Sequence, residues 1–500
     1  FRLNENKKER VMPIKKVILG FICLFLLLTA VLLIRAFTFS ASPASEMHFE
    51  NVKLDATSIS QHLSEAIQFK TVSMQNPEDM NLEEFSAFIT WVKQTYPGIQ
   101  KNLELIPINE YTLLYKWLGQ DESLAPVLLS AHYDVVPVIP GSESAWKHEP
   151  FGGVVDDTHI WGRGALDDKS AVVGMLEALS FLGKQKFVPQ RTIYMAATHD
   201  EEIGSKTGAG GIVEWMKARD IKPLWSLDEG SFVLNGMIPG VAKPIASINV
   251  SEKGYMNLEL SVTSQGGHSS MPKGHTAVGI LSTAIHNLQG SPLSGSLNGI
   301  SGNMFDQLAP HMPFVQKVLF ANKWLFSGVI ESILSKSGSG NAMLRTTIAP
   351  TMISGSVKAN ILPIHASAIV NFRLHPKDSV DSVVQHVMNA VNDERVAVKV
   401  LQGGAASRVS DSNSDGFKLI AGVTRHVHGD DIVVTPGLTV AATDSRKYDE
   451  ITQDSFRFNP MSIHKEDVSG FHGTNERLSI DNMVKATEFY IQLMQASGSH

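Results

Sequence analysis

Hydrophobic residues along the chain fall into three patterns, and each predicts a different kind of element. The run Val17–Ile34 carries no charge over eighteen residues and sits between Lys15-Lys16 and Arg35. Such a stretch is at the short end of what crosses a bilayer and longer than the apolar core of an ordinary signal peptide. From Asp55 to Tyr96 the apolar positions advance in steps of three and four, through Ile59, Leu63 and Ile67 and then Phe85, Phe88, Ile89 and Val92. That spacing stacks them on one face of a helix. Further on, short apolar runs alternate with helical ones: strands at Val127–Ala131, Thr192–Ala197 and Leu224–Leu227, a helix from Ser170 to Leu182 closed by Gly183, and another near Gly211–Ala218. Alternation of this kind predicts an α/β fold, a mostly parallel sheet covered by helices on both faces, with ligands gathered beyond the carboxyl ends of its strands.

The pattern then changes. A strand at Asn249–Val262, a helix at Thr276–Leu288, strands at Thr351–Val357 and Ala366–Leu374, a helix at Asp378–Val391 and a strand at Val396–Leu401 follow in the order β-α-β-β-α-β. This is the order of a ferredoxin-like two-layer module, expected here as a smaller lid domain. Five hundred residues exceed one ordinary core. The expected division is a basic tail at 1–16, a membrane helix at 17–34, a catalytic domain in two parts at 50–248 and 403–500, and a lid or dimerisation domain at 249–402 carrying an apolar insertion at 290–344.

Charge separates the tail from the body. Residues 1–16 hold six basic side chains against two acidic ones and Arg35 adds one more, so the whole-chain net of −7 leaves −12 on residues 36–500. A body this acidic argues against nucleic acid as a partner. The basic flank before the apolar run favours a cytoplasmic N-terminus and a lumenal or extracellular body. The body is then membrane-held by an uncleaved signal anchor, or secreted if the chain is cut among Ser40-Ala41-Ser42 and Ala44. Asn249-Val250-Ser251, the one glycosylation sequon, lies in strand-like surroundings that oppose its use. The single cysteine, Cys23, lies in the apolar run, which excludes disulfides, thiolate nucleophiles and cysteine-bound zinc from the body. Any metal there must be held by His, Asp and Glu.

Five clusters supply such residues. In SAHYDVVP (130–137), directly after an apolar run, His132 and Asp134 share a strand face, which suits a metal ligand and the carboxylate that orients it. In WGRGALDDKS (161–170) two glycines allow a tight loop that puts Asp167 just before a helix. HDEE (199–202) ends a buried run, and in a loop both Glu201 and Glu202 can reach one site, one as a ligand and the other as a base. Asp228 follows the next strand, and His472 stands in FHGTNER near the final helix. Together His132, Asp167, Glu202, Asp228 and His472 make a nitrogen-and-oxygen ligand set suited to two zinc ions with a bridging carboxylate. Calcium would waste both histidines.

The series SAHYDVVP, GRGALDDK, HDEEIGS, LDEG, GGHSSMP and FHGTNE resembles, in order, the di-zinc amidohydrolases that include aminoacylase, carboxypeptidase S and acetylornithine deacetylase. The resemblance runs from about Asp55 to the end of the chain. It implies two Zn2+ per subunit: His132 and Asp228 on one ion, Glu202 and His472 on the other, and Asp167 between them. It implies a cis linkage between Asp167 and Asp168, an orienting role for Asp134, and Glu201 as the general base acting on zinc-bound water. In the lid, His268 of GGHSSMP is similar to the residue that stabilises the tetrahedral oxyanion, often in the other subunit, and Asn360 and Arg373 resemble substrate-binding positions. Arg373 would grip a free carboxylate bidentately. TPGLTVAATDSRKY, with Thr443 and Asp444, is similar to the family's late substrate loop.

The insertion and the N-terminal apolar run together resemble the carboxypeptidase S and fatty-acyl amino acid synthase/hydrolase branch of that family. The expected activity is hydrolysis, reversible to synthesis, of N-acyl amino acids, with fatty-acyl ones favoured if apolar insertion residues such as Phe305, Phe320, Trp324 and Ile330 line an acyl groove rather than pack among themselves. The alternative is a carboxypeptidase that releases the last residue of a short peptide; the two share every catalytic position. A third reading, a membrane-tethered binding protein without catalysis, is opposed by the complete ligand set and by Glu201. If His268 serves a neighbouring site, a homodimer through the lid is required; if it serves its own after closure, a monomer suffices.

Overall fold

The computed structural model describes residues 14–41, 47–272 and 274–499, so most of the predicted basic tail, together with Ser42 and Ala44, lies outside the described residues. The apolar run forms the helix Ile14–Thr38. Its segment Lys15–Thr38 has a mean hydropathy of 3.2, and it is long and apolar enough to cross a membrane.

The predicted alternation forms the larger sheet. Val127–His132 lies between Ile193–Thr198 and Trp225–Asp228, parallel to both, and Asp454–Arg457 continues beside Trp225–Asp228 in the same direction. These central strands are buried on both faces, which is why they read as unbroken apolar runs. One face carries Lys169–Lys184 against Ile480–Ser497, with Gly174 close under the Tyr490 ring. The other face carries Ala209–Lys217, whose Ile212 and Met216 pack on Leu114, Leu128 and Tyr194.

Several expectations are corrected. Gly183 does not close its helix; it packs against Asn102 inside the last turn, and the helix runs from Lys169 to Lys184. The expected strand Asn249–Val262 is two strands, Ile245–Glu252 in the larger sheet and Gly254–Thr263 in the smaller one. The chain changes sheets at Lys253, whose buried ammonium donates to Ala342 O and Arg345 O at 2.8 Å each. Six strands of the larger sheet have no counterpart among the predicted elements: the hairpin Glu104–Ile108 with Thr112–Trp117, the strands Val433–Thr439 and Asp454–Arg457, and the short strands Val233–Leu234 and Ser462–Ile463. Pro107 lies on the edge strand of that hairpin, where a missing N–H costs nothing. Pro436 and Gly437 lie inside the strand Val433–Thr439, where only glycine fits at 437 because a Cβ there would meet Asn249 Oδ1 at 2.0 Å.

The smaller sheet orders Thr347–Ser354, His365–Leu374, Gly254–Thr263 and Val396–Gly404, all antiparallel. The helices Ala277–Gln289 and Val380–Val391 bury Leu281, Leu288, Val383 and Val387 against it. The insertion is helical: Ile300–Leu308, Phe314–Ala321, Lys323–Leu334 and Gly338–Leu344. Phe305, Phe320 and Ile330 are core residues, packed with Ile245 and Val433 of the larger sheet, and the Phe305 and Phe320 rings stack at 4.8 Å. The sequon residue Asn249 is buried, donating to Thr439 Oγ1 at 2.9 Å, and is closed to glycosylation in the folded chain.

Candidate active site

Three adjacent parallel strands end at one place. His132 closes Val127–His132, Thr198 leads into His199–Glu202, and Asp228 closes Trp225–Asp228, with His132 paired in register to Thr198. The loop before Asp167 passes over these ends. It can do so because Gly164 takes φ 89°, and a side chain there would meet Val135 Cγ1 at 2.9 Å.

Asp167 is the centre of the arrangement. One of its oxygens lies 3.0 Å from His132 Nε2 and the other 3.1 Å from His472 Nε2, while Glu202 Oε1 lies 3.3 Å from the same nitrogen of His472. Three sets of ligand atoms, each set within 4.8 Å of one another, result: Asp167 with Glu202 and His472, His132 with Asp167 and Glu229, and His132 with Glu201 and Glu202. His132, Asp167, Glu201, Glu202 and His472 therefore meet as expected. Asp228 does not enter these sets; its neighbour Glu229 does, with Oε1 3.8 Å from His132 Nε2. Both Asp228 oxygens are nevertheless buried with no hydrogen-bond partner among the described residues. A buried carboxylate left without a partner is costly, and a cation would satisfy it.

The electrostatics say the same. Burial, with Asp444 and Glu202 beside it, drives the Glu201 carboxyl well above its ordinary range against the pull of His132. Burial, with Asp444 and Glu252 nearby, does the same to Asp228. Burial opposes charge on His132, but Asp134 and Asp167 overcome it and raise that ring well above its usual value. Hydrogen bonds to Asp167 and Glu202 raise His472 to about 10. The cluster holds more carboxylates than its two histidines can balance, with His132 buried and His472 at its exposed edge, and its donors are nitrogen and oxygen only, which fits a divalent zinc-type ion.

Asp134 supports the cluster from behind. Its carboxylate accepts from Ser73 Oγ at 2.6 Å and from the Glu201 and Glu202 backbone N–H groups at 3.2 Å each, while His132 Nδ1 lies 2.9 Å from its backbone O and 3.4 Å from its carboxylate. Asp134 thus fixes the imidazole largely through its backbone carbonyl and the start of the Glu201–Ile203 turn through its side chain. A second support was not found in the sequence. Glu476 is fully buried; its Oε1 accepts from the N–H groups of Gly164, Leu166 and Asp167 at 3.0, 2.8 and 3.1 Å, and its Oε2 takes Arg163 Nη1 at 2.6 Å. Beside Arg477 it reads as surface charge, and its partner lies 313 positions away.

The remaining predicted positions divide. Thr443 and Asp444 are buried at the site's margin, Thr443 Oγ1 donating to Glu252 at 2.7 Å and Asp444 accepting from Thr198 Oγ1 at 2.5 Å. Burial raises Asp444 to about 6. Arg373 lies on the smaller sheet, half-buried, with its guanidinium 4.9 Å from the Tyr255 ring centre. His268 ends the short exposed strand Gly267–His268, which pairs with Ile361–Leu362 directly after Asn360, and Ser269 N–H donates to Asn360 O at 3.2 Å. The His268 ring accepts from Ser270 N–H at 3.2 Å, and it enters none of the ligand sets found among the described residues.

A carboxylate turned to two histidines at the mouth of a parallel sheet, with a high-pKa glutamate alongside, defines a metal-dependent hydrolase. Residues 128–496 match peptidase family M20/M25/M40, and the chain belongs to that family of enzymes, which hydrolyse amide bonds. It is 39% identical over 442 residues to "Probable carboxypeptidase S-like 2" of Dictyostelium discoideum, covering 87% of this chain and 84% of the relative. It is 37% identical over 487 residues to "N-fatty-acyl-amino acid synthase/hydrolase PM20D1" of Xenopus tropicalis, covering 96% and 94%. Among solved structures, the M20 family metallo-carboxypeptidase Sso-CP2 of Sulfolobus solfataricus superposes with a TM-score of 0.62 at 17% identity, covering 88% of this chain and 99% of that one. Human carnosine dipeptidase 1 does so at 0.59 and 16%, covering 89% and 96%. These two share the fold.

Proposed function

We propose that the protein hydrolyses the amide bond of N-acyl amino acids, with N-fatty-acyl amino acids as the substrate class, and forms that bond when both products are plentiful. The observation that carries hydrolysis is Asp167 set between His132 and His472 at 3.0 and 3.1 Å, with Glu201 in the same cluster. The fatty-acyl assignment is supported by the relative that aligns over 96% of this chain and bears that activity in its name. In this reading His132, Asp228, Glu202, His472 and Asp167 would hold two zinc ions per subunit. Zinc there would supply Lewis acidity, activating water near neutral pH and polarising the scissile carbonyl.

The chain's own groups do the rest. Glu201 accepts a proton from the attacking water and returns it to the leaving nitrogen. Asp134 holds the His132 ring and the Glu201 backbone in place. Arg373 receives the amino-acid carboxylate, with Asn360, Thr443 and Asp444 completing the substrate pocket. His268 reaches a site by closure of the lid or from the partner in a homodimer. The lid begins at the sheet change at Lys253, and the helix Ile14–Thr38 anchors a lumenal or extracellular body.

The test is a rate comparison on the zinc-loaded full chain in detergent, using a long-chain N-acyl phenylalanine and a short N-blocked dipeptide. Preference for the fatty-acyl substrate is the expected result. Preference for the dipeptide refutes the fatty-acyl assignment in favour of a carboxypeptidase, the activity named in the 39%-identical relative.

A further inference from the structure

The helix Ile14–Thr38 does not stand apart from the body. Its C-terminal turns dock on the insertion: Asn322 Nδ2 donates to Leu32 O at 3.1 Å, Arg35 Nε donates to Ala321 O at 3.1 Å, Ala36 is fully buried, and the Phe37 ring lies 5.3 Å from that of Phe314. Arg35 is the first charge after the eighteen uncharged residues of the apolar run, so it marks the level at which the chain leaves hydrocarbon. The insertion helices Phe314–Ala321 and Lys323–Leu334 are held at that level.

Their outer surface is apolar. Phe320 and Ile330 point into the core, but Phe314, Val315, Trp324, Leu325, Val329 and Ile333 are exposed, Val315 at 73% and Trp324 at 59%. Along Lys323–Leu334 the exposed apolar positions 324, 325, 329 and 333 recur at steps of one and four, a single helix face. Glu331, the one acid of these two helices, is tied to Arg345 at 2.6 Å, and Lys323 is tied to Asp306 at 2.7 Å. A soluble protein does not leave such a face open. Lys317, Lys323 and Glu331 are all half-buried, and the exposed positions of the two helices carry no charge. Aromatic-bearing helices with such a face, lying beside a membrane-crossing one, are the chemistry of a segment embedded in the bilayer interface.

We infer that the insertion is a membrane-contacting platform: the face formed by Phe314, Val315, Trp324, Leu325, Val329 and Ile333 lies in the outer leaflet beside the anchor, and so places the catalytic body on the bilayer surface. This rests on the reading of Ile14–Thr38 as an anchor and goes beyond it, since a tether alone would leave the body free in solution.

The full chain is reconstituted into phosphatidylcholine vesicles, with ordinary or brominated acyl chains, and its tryptophan emission is compared with that of Trp324→Phe. Brominated chains quench only what they touch. The expected result is quenching of the wild type that Trp324→Phe loses, and that Val329→Glu, which retains Trp324, weakens. Equal quenching in wild type and Trp324→Phe, or none in either, overturns the platform. Carbonate extraction of the same vesicles reads the anchor separately. Retention without Trp324 quenching keeps the anchor and sinks the platform, whereas release with Trp324 quenching sinks the anchor and keeps the platform.

Discussion

Glu476→Gln is the perturbation that most directly probes how the site is held. The carboxylate organises the loop that carries Asp167, accepting three backbone N–H groups on Oε1 and Arg163 on Oε2, with neither Arg163 nor Glu476 reached by solvent. Glutamine can keep the first oxygen but sets an amide N–H2 against the Arg163 guanidinium 2.6 Å away, donor facing donor. Removing one partner of a buried ion pair costs roughly 3–5 kcal/mol, because the remaining charge is stranded. Loss of a support behind a metal ligand lowers metal affinity by about 10–100-fold. The first effect is read from urea unfolding at fixed zinc, the second from competition against a chelating dye. Adding Arg163→Met removes the stranded charge and is expected to recover part of the stability while leaving zinc affinity low. If Glu476→Gln unfolds at the same urea concentration and binds zinc as tightly as wild type, the clamp argument is wrong.

Glu201→Gln is expected to cut kcat by roughly 10²–10⁴ while zinc content, measured by elemental analysis, stays unchanged; a mutant as active as wild type on every acyl-amino acid would falsify its role as the base. Mixing His268→Ala chains with Glu201→Gln chains restores activity if His268 acts across a dimer and does not if it acts within its own chain. Chelation should lower the unfolding midpoint, and zinc at a thousand times its dissociation constant should restore about 4 kcal/mol, seen by calorimetry. Burial holds His428 near about 4, with Pro460 O accepting at 3.1 Å. The unfolded chain, at about 6.5, takes its proton first as pH falls, so stability drains between those two values and levels off below. His428→Gln should flatten that limb by about 3 kcal/mol in urea titrations across this range, and an unchanged limb would assign the acid loss to other groups.

What could be read from the sequence was what is local. Unbroken apolar runs mark doubly covered strands, and those at 127, 192 and 224 appear within a residue or two of their predicted places. Polar residues placed just past such runs converge because parallel strands end together, which is why His132, Glu201 and Glu202 are legible in the sequence, whereas Asp167 and His472 arrive on loops from elsewhere and are legible only through their motifs. Asp228 and Glu229 show the limit. Both follow the same strand, and only side-chain direction separates the one that touches His132 from the one left buried without a partner.

The tertiary structure decided what depends on distant segments meeting. Val433–Thr439 is a strand despite Pro436-Gly437 because Ile245–Glu252 lies beside it with Asn249 filling the space a side chain would need. Glu476 becomes a clamp because the chain returns, 313 residues after Arg163, to the loop it must hold. The insertion divides its apolar residues between a core at Phe305 and Phe320 and an open face at Trp324 because one side meets the larger sheet and the other, among the described residues, meets the end of the first helix. Periodicity tells a residue which side of its own element it occupies; what stands opposite that side is a property of the path of the whole chain.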